Sequence, residues 1–152
     1  MDNLRDTELK LFVDSVRHYF RVSTKEEPQI TSAFLDTGDV EAFDFNGIVT
    51  FSGSYHGHVM VSMPQQLLRE LLILQGETDL SDGNLLDAAG EIANTLGGNA
   101  RKELGPALEI SVPVKLLGTS GIRARVRKRP CVITLRWNRQ PALVVIDMEK
   151  RA

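Results

Sequence analysis

The chain has 152 residues, of which 42% are hydrophobic and 25% are charged. These proportions exclude a disordered chain, and the length fits one domain, 1–152. The N-terminus has no basic and apolar leader, and no apolar run reaches the roughly 18 residues that a membrane-spanning helix needs. A single cysteine, Cys131, excludes an internal disulfide and gives no basis for a zinc site. We therefore expect a cytoplasmic protein.

The net charge is −2, but the charges are unevenly spread. The first 100 residues carry 6 of the 18 basic side chains and 16 of the 20 acidic ones. Such a split can mark a surface for nucleic acid or for an acidic partner, although in one folded domain the two halves more often neutralise each other. The second interpretation is favoured here.

The first half of the chain predicts two helices and a block of short strands. The first helix covers Thr7–Phe20, whose apolar residues recur at helical spacing. A short leucine-rich helix, Gln65–Gln75, begins after Pro64 and stops at Gly76. A hairpin turn is expected at residues 54–57. The strands expected between the helices are Gln29–Leu35, Val40–Phe45, Gly47–Ser54 and His58–Met63.

The second half predicts one long helix followed by more strands. Gly105 and Pro106 end the helix, and Pro113 marks the next strand as an edge strand or a kinked one. The expected strands are Leu108–Leu117, Ile122–Lys128, Cys131–Trp137 and Ala142–Met148. Together, the expected helices and strands predict an α+β domain with a largely antiparallel sheet covered by helices. A second interpretation treats the two halves as a degenerate repeat in which the first helix takes the place of the long one.

The long helix, from an N-cap at Ser81 to Leu104, organises the chain. Asp82 stands in its first turn, where the helix dipole favours an acid. An apolar stripe at helical spacing predicts its buried side. That stripe consists of Leu85, Ala88, Ala89, Ile92, Leu96, Ala100 and Leu104.

The opposite side of this helix is the candidate site. Asp87, Glu91 and Asn94 are spaced four and three residues apart and therefore share one face. Gly90, Gly97 and Gly98 each cost about 1 kcal/mol relative to alanine in a helix interior. A helix that keeps them needs a surface where another backbone can come close. The glycines therefore predict a partner surface beside Glu91 and Asn94.

Residues Asp87–Leu104, with the upstream stretch Phe45–Pro64, resemble the CheC/CheX/FliY family of phosphatases that act on the chemotaxis response regulator CheY. The family motif is an acidic or serine residue, three positions, glutamate, two positions and asparagine, which matches Asp87, Glu91 and Asn94. The single motif is similar to CheX, and the run from Gly98 to Arg101 adds to that likeness.

The resemblance implies how the site works. Asn94 enters the active site of a phosphorylated CheY-like regulator and orients the attacking water, while Glu91 contacts the regulator's lysine. Asp87, Gly90, Gly97, Gly98 and Arg101 belong to the docking surface. It also implies that this chain holds no metal, that Mg²⁺ comes with the regulator, and that the protein is a homodimer whose sheets join. The family's downstream proline corresponds to Pro113 or Pro106.

Other interpretations remain open. A non-catalytic CheX-like adaptor would bind a signalling partner without turnover. A nucleic-acid-binding domain is another interpretation. Arg123, Arg125 and Arg127 alternate along one face of the expected strand Ile122–Lys128 and, with Lys128 and Arg129, could contact the phosphates of a nucleic acid. The aromatic residues typical of single-strand binding are missing nearby apart from Trp137. A solvated face is favoured there. His56 and His58 lack an evident third metal ligand, so a structural role is favoured.

Overall fold

The computed structural model describes residues 2–35, 41–119 and 130–151. Within these ranges there are three helices: α1 (Asp2–Thr24), α2 (Gln65–Leu74) and α3 (Asp82–Leu104). There are also seven strands: β1 (Gln29–Leu35), β2 (Phe45–Gly53), β3 (Tyr55–Met63), β4 (Leu108–Ile110), β5 (Val114–Leu117), β6 (Cys131–Trp137) and β7 (Gln140–Lys150). They form one antiparallel sheet in the order β1-β6-β7-β3-β2-β4, and β5 also pairs with β2. The predicted α+β fold is confirmed.

The ends of α3 follow the predicted signals. The hydroxyl oxygen of Ser81 accepts a hydrogen bond from the Asn84 N–H at 3.4 Å, which caps the N-terminus. Gly105 ends the helix at a φ of 106°, a conformation that favours glycine. Helix α1 is longer than predicted at both ends and stops where Lys25 takes a φ of 65°. Its additional turns are rich in polar residues, which give no apolar stripe to mark them.

The hairpin between β2 and β3 turns earlier than predicted. The expected turn at residues 54–57 is wrong, since β3 already begins at Tyr55. Gly53, at a φ of 83°, allows the sharper turn. Tyr55 is only 6% exposed and packs into the core, which holds it in the sheet.

Two other predicted strands differ from the observed ones. Residues 41–44 of the expected strand Val40–Phe45 do not form a strand, and Phe45 is the first residue of β2. Residue 40 lies outside the described ranges. The expected strand Leu108–Leu117 is divided into β4 and β5 around Pro113, which has no N–H to give to a ladder. We call residues 111–113 the connector. The predicted strand Ile122–Lys128 with its arginines lies outside the described residues.

The three helices cover one face of the sheet and enclose the main core. Phe12 of α1 packs on Phe51 at a ring-centroid distance of 6.3 Å, and Phe20 packs on Trp137 at 5.7 Å. Helix α3 lies directly on β2 at Gly47, where an added Cβ would stand 2.3 Å from the Ala89 carbonyl oxygen. This close approach fixes the height and the rotation of α3 on the sheet.

Candidate functional site

Helix α3 presents a buried side to the sheet and an exposed side to solvent. The buried residues are Leu85, Ala89, Gly90, Ile92, Ala93, Leu96, Gly97 and Ala100. Ala88 and Leu104, which were also predicted in the stripe, are half-buried. Asp87, Glu91 and Asn94 are all exposed on the other side. The sequence-predicted motif is therefore brought together on one accessible surface.

The side chains of Glu91 and Asn94 have no bonded partner in the part of the chain that the structure describes. Within the described ranges, neither side chain makes a hydrogen bond or an ion pair. At 3.6 residues per turn the two side chains leave the helix about 60° apart and one turn apart in height. A carboxylate that accepts and a carboxamide that both donates and accepts are thus free to contact a partner.

Asp87 differs from the other two motif residues because it is paired. Its carboxylate accepts from the Lys115 ammonium of β5 at 2.6 Å, and both side chains stay about half exposed. An exposed pair of this kind adds at most about 1 kcal/mol to stability. Its clearer effect is to hold Asp87 toward β5, so that it borders the surface of Glu91 and Asn94.

The glycines of α3 correct part of the sequence prediction. Gly90 and Gly97 do not face a partner: a Cβ would lie 3.0 Å from Lys115 Cγ at the first and 3.1 Å from Val49 Cγ1 at the second. They let the protein's own sheet and connector approach the helix. At Gly98 an added Cβ would meet no described residue within 4 Å. Gly98 is therefore the one glycine of the three that lies open beside the motif.

The C-terminal end of α3 is fixed by Arg101. Its Nε donates to the Leu108 carbonyl oxygen at 3.0 Å and so links the last turn of the helix to β4. The rest of this exposed side chain remains at the surface. Arg101 thus has a structural contact in addition to the predicted place on the docking surface.

A cleft of about 260 Å³ runs along the α1 side of Glu91. Tyr19 of α1 lines it, and burial raises the pKa of its phenol. Hydrogen bonds with Ser23 and Gln75 oppose that shift in pKa, and the charge of Glu91 adds to it. Sequence reasoning missed Tyr19, because only the packing of α1 against α3 brings it to the motif.

Pro113 lies against the motif helix. Its Cβ would be 3.4 Å from a Cβ at Gly90, whereas Pro106 follows the C-terminus of α3. Pro113 therefore borders the motif helix, and the choice between Pro113 and Pro106 as the family's proline stays a prediction.

No metal centre is found among the described residues, where no group of three or more histidine, cysteine or acidic side chains could hold an ion. His56 instead pairs with Glu149 of β7 at 3.1 Å, and His58 is buried in β3. None of the described helices is both long and apolar enough to cross a membrane.

An antiparallel sheet with a long, motif-bearing helix on one face defines a CheC-like α+β domain. Solved structures share this fold at 15–18% identity. They include CheX from Vibrio vulnificus (17% identity, TM-score 0.78, 94% of this chain and 99% of that chain). A chain of the CheX–CheY–BeF3–Mg²⁺ complex from Borrelia burgdorferi is also similar (15% identity, TM-score 0.75, 94% and 98%).

The family follows from the sequence as well as from the fold. The family model described as chemotaxis phosphatase CheX matches residues 45–136, which is more than half of the chain. The protein belongs to the CheX family. The matched range contains β2, β3, α2 and the whole motif helix α3. A search among curated proteins finds no match.

Proposed function

We propose that this protein is a phosphatase that hydrolyses the aspartyl phosphate of a CheY-like response regulator. One observation carries the proposal: Glu91 and Asn94 stand exposed on one face of α3, and their side chains make no hydrogen bond or ion pair with any residue that the structure describes. The CheX family assignment and the fold shared with a chain of a CheX–CheY complex support it. The Mg²⁺ needed for the reaction belongs to the regulator in this proposal.

Hydrolysis of an aspartyl phosphate requires this chain mainly to position the attacking water and the regulator. An acyl phosphate is already activated, so water must be held in line with the phosphorus and the developing charge must be stabilised. The Asn94 carboxamide oxygen can accept a hydrogen bond from that water, and its NH2 group can donate one to a phosphoryl oxygen, without a tuned pKa. Glu91, one turn earlier, pairs with a lysine ammonium of the regulator and sets the register of docking.

The test is the decay of phosphate on a panel of receiver domains from the same host. We expect the wild-type protein to accelerate decay and Asn94→Ala to lower kcat at least about a hundredfold, as for the loss of one positioned polar group. Glu91→Gln is expected to raise KM more than it lowers kcat. No acceleration with any receiver domain would contradict the phosphatase proposal.

Asn99 provides a matched control in the same helix. Its side-chain amide donates to the buried Ser15 hydroxyl at 2.8 Å and so joins α3 to α1. Asn99→Ala should therefore cost about 1 kcal/mol of stability and leave kcat unchanged. A fall in kcat equal to that of Asn94→Ala would mean that helix placement, and not the motif amide, explains the loss.

The second candidate function is a non-catalytic adaptor. Exposed motif side chains suit binding as well as turnover, so binding of a receiver domain without faster decay would favour the adaptor. We also propose a homodimer. Within the described ranges β1 pairs with β6 alone, so its outer edge is open to a strand of a second copy.

A further inference from the structure

An exposed valine stands beside the motif. Val112, in the connector, is 83% exposed, the largest exposure among the large hydrophobic side chains of the described residues. Scattered exposed apolar residues are ordinary on protein surfaces. What distinguishes Val112 is its position, which the chain fixes on both sides.

The connector is held firmly against the sheet. The Ser111 N–H donates to the Thr50 carbonyl oxygen at 2.9 Å, and the Ser111 hydroxyl accepts from the Thr50 N–H at 2.9 Å. On the other side of Val112, the ring of Pro113 fits against Gly90. Val112 therefore projects outward from a backbone that is anchored by both of its neighbours.

The connector runs alongside α3 at the height of Asn94. Ile110 would be 3.6 Å from a Cβ at Gly97, and Pro113 would be 3.4 Å from one at Gly90. Val112 lies between these two contacts. Asn94 leaves the helix about 60° from Glu91 toward this flank, by helix geometry. Val112 and Asn94 thus border one continuous surface, on the side away from α1.

The surroundings of Val112 on this flank favour an apolar contact. Lys115, two residues after Pro113, is paired with the Asp87 carboxylate at 2.6 Å. The Arg101 guanidinium donates one of its hydrogen bonds, from Nε, to the Leu108 carbonyl oxygen. A partner that brings a phosphoryl group to Asn94 must cover this flank, and Val112 would then lose most of its contact with water.

We propose that Val112 is an apolar anchor for the phosphorylated receiver domain, which contacts it through an apolar patch beside its phosphorylation site. This inference rests on the proposed function, since that function names the occupant. It assigns part of the binding energy to a residue outside the helical motif. Val112 holds the partner while Asn94 and Glu91 act on it.

The experiment compares Val112→Ala, Val112→Asp and Val112→Ile with wild type. Binding of a beryllofluoride-loaded receiver domain is measured by calorimetry, and kcat and KM are measured by phosphate decay. Loss of two buried methyl groups in Val112→Ala should raise Kd about tenfold, and a buried charge in Val112→Asp about a hundredfold. Val112→Ile should keep wild-type affinity, and kcat should be unchanged throughout.

Val22 is the matched control, being a valine 66% exposed in the last turn of α1, on the other flank of α3. Val22→Asp should leave Kd unchanged. The proposal is overturned if Val112→Asp and Val22→Asp raise Kd equally, or if Val112→Asp leaves Kd unchanged. In that case the phosphatase proposal still holds if the wild-type protein accelerates phosphate decay. If the wild type binds no receiver domain, both proposals fail.

Discussion

Gly98 allows stability and docking to be separated in one substitution. A Cβ added there meets nothing within 4 Å, so alanine removes the glycine penalty in a helix interior without a clash. The free energy of unfolding should rise by about 0.5–1 kcal/mol. For a chain of this size the melting temperature should rise by about 2–4 °C for each kcal/mol.

The same methyl group should harm docking. It would stand on the open face that Glu91 and Asn94 share, where a close-packed partner leaves no room for an extra carbon. Overpacking of about 1 kcal/mol corresponds to a fivefold rise in Kd for the receiver domain. Gly98→Ala is therefore expected to be more stable and weaker in binding than wild type.

Gly83→Ala is the control, since Gly83 is exposed in α3 and an added Cβ there, as at Gly98, meets no described residue within 4 Å. Thermal unfolding and calorimetry on both variants decide the matter. Gly83→Ala should not weaken binding. The reasoning on Gly98 is refuted if Gly98→Ala is less stable than wild type, or if it is more stable and binds as tightly.

Two further predictions concern the frame of the site. Gly47→Ala should lower the free energy of unfolding by about 3 kcal/mol or more. The reason is that its Cβ would lie 2.3 Å from the Ala89 carbonyl oxygen and push α3 off β2. An unchanged midpoint of urea unfolding would show that α3 does not pack on β2 at Gly47. Sedimentation equilibrium should give twice the mass of one chain if the β1 edge joins two copies, and a monomer at all concentrations would contradict the homodimer.

Local patterns were enough for the elements that carry their own boundary signals. Strands β1 and β6 have the predicted bounds, since a proline stands directly before each and a run of strand-forming residues follows it. The N-cap and the terminal glycine of α3 are equally local. The motif face also follows from spacing along a single helix. The α+β class follows from the order of such elements.

Long-range packing decided the features that the sequence did not predict. Gly90 and Gly97 resemble Gly98 in sequence, yet Lys115 and Val49 from the sheet occupy the space beside them. Tyr19 reaches the cleft at Glu91 through the packing of α1 on α3. Sequence periodicity does not predict which element packs next to a given glycine or tyrosine. The neighbours of these glycines and of Tyr19 could therefore be identified only from the three-dimensional structure.

The pairing of β1 with β6 has a consequence for how the chain matures. Thr31 and Thr134, whose hydroxyls are hydrogen-bonded across these strands, are 103 residues apart in sequence. A ribosome delivers β1 early, and the strand then waits unpaired until most of the chain has emerged. Contacts of such separation slow folding. Completion of the sheet therefore falls at the end of synthesis, after the helix that carries the motif has already been made.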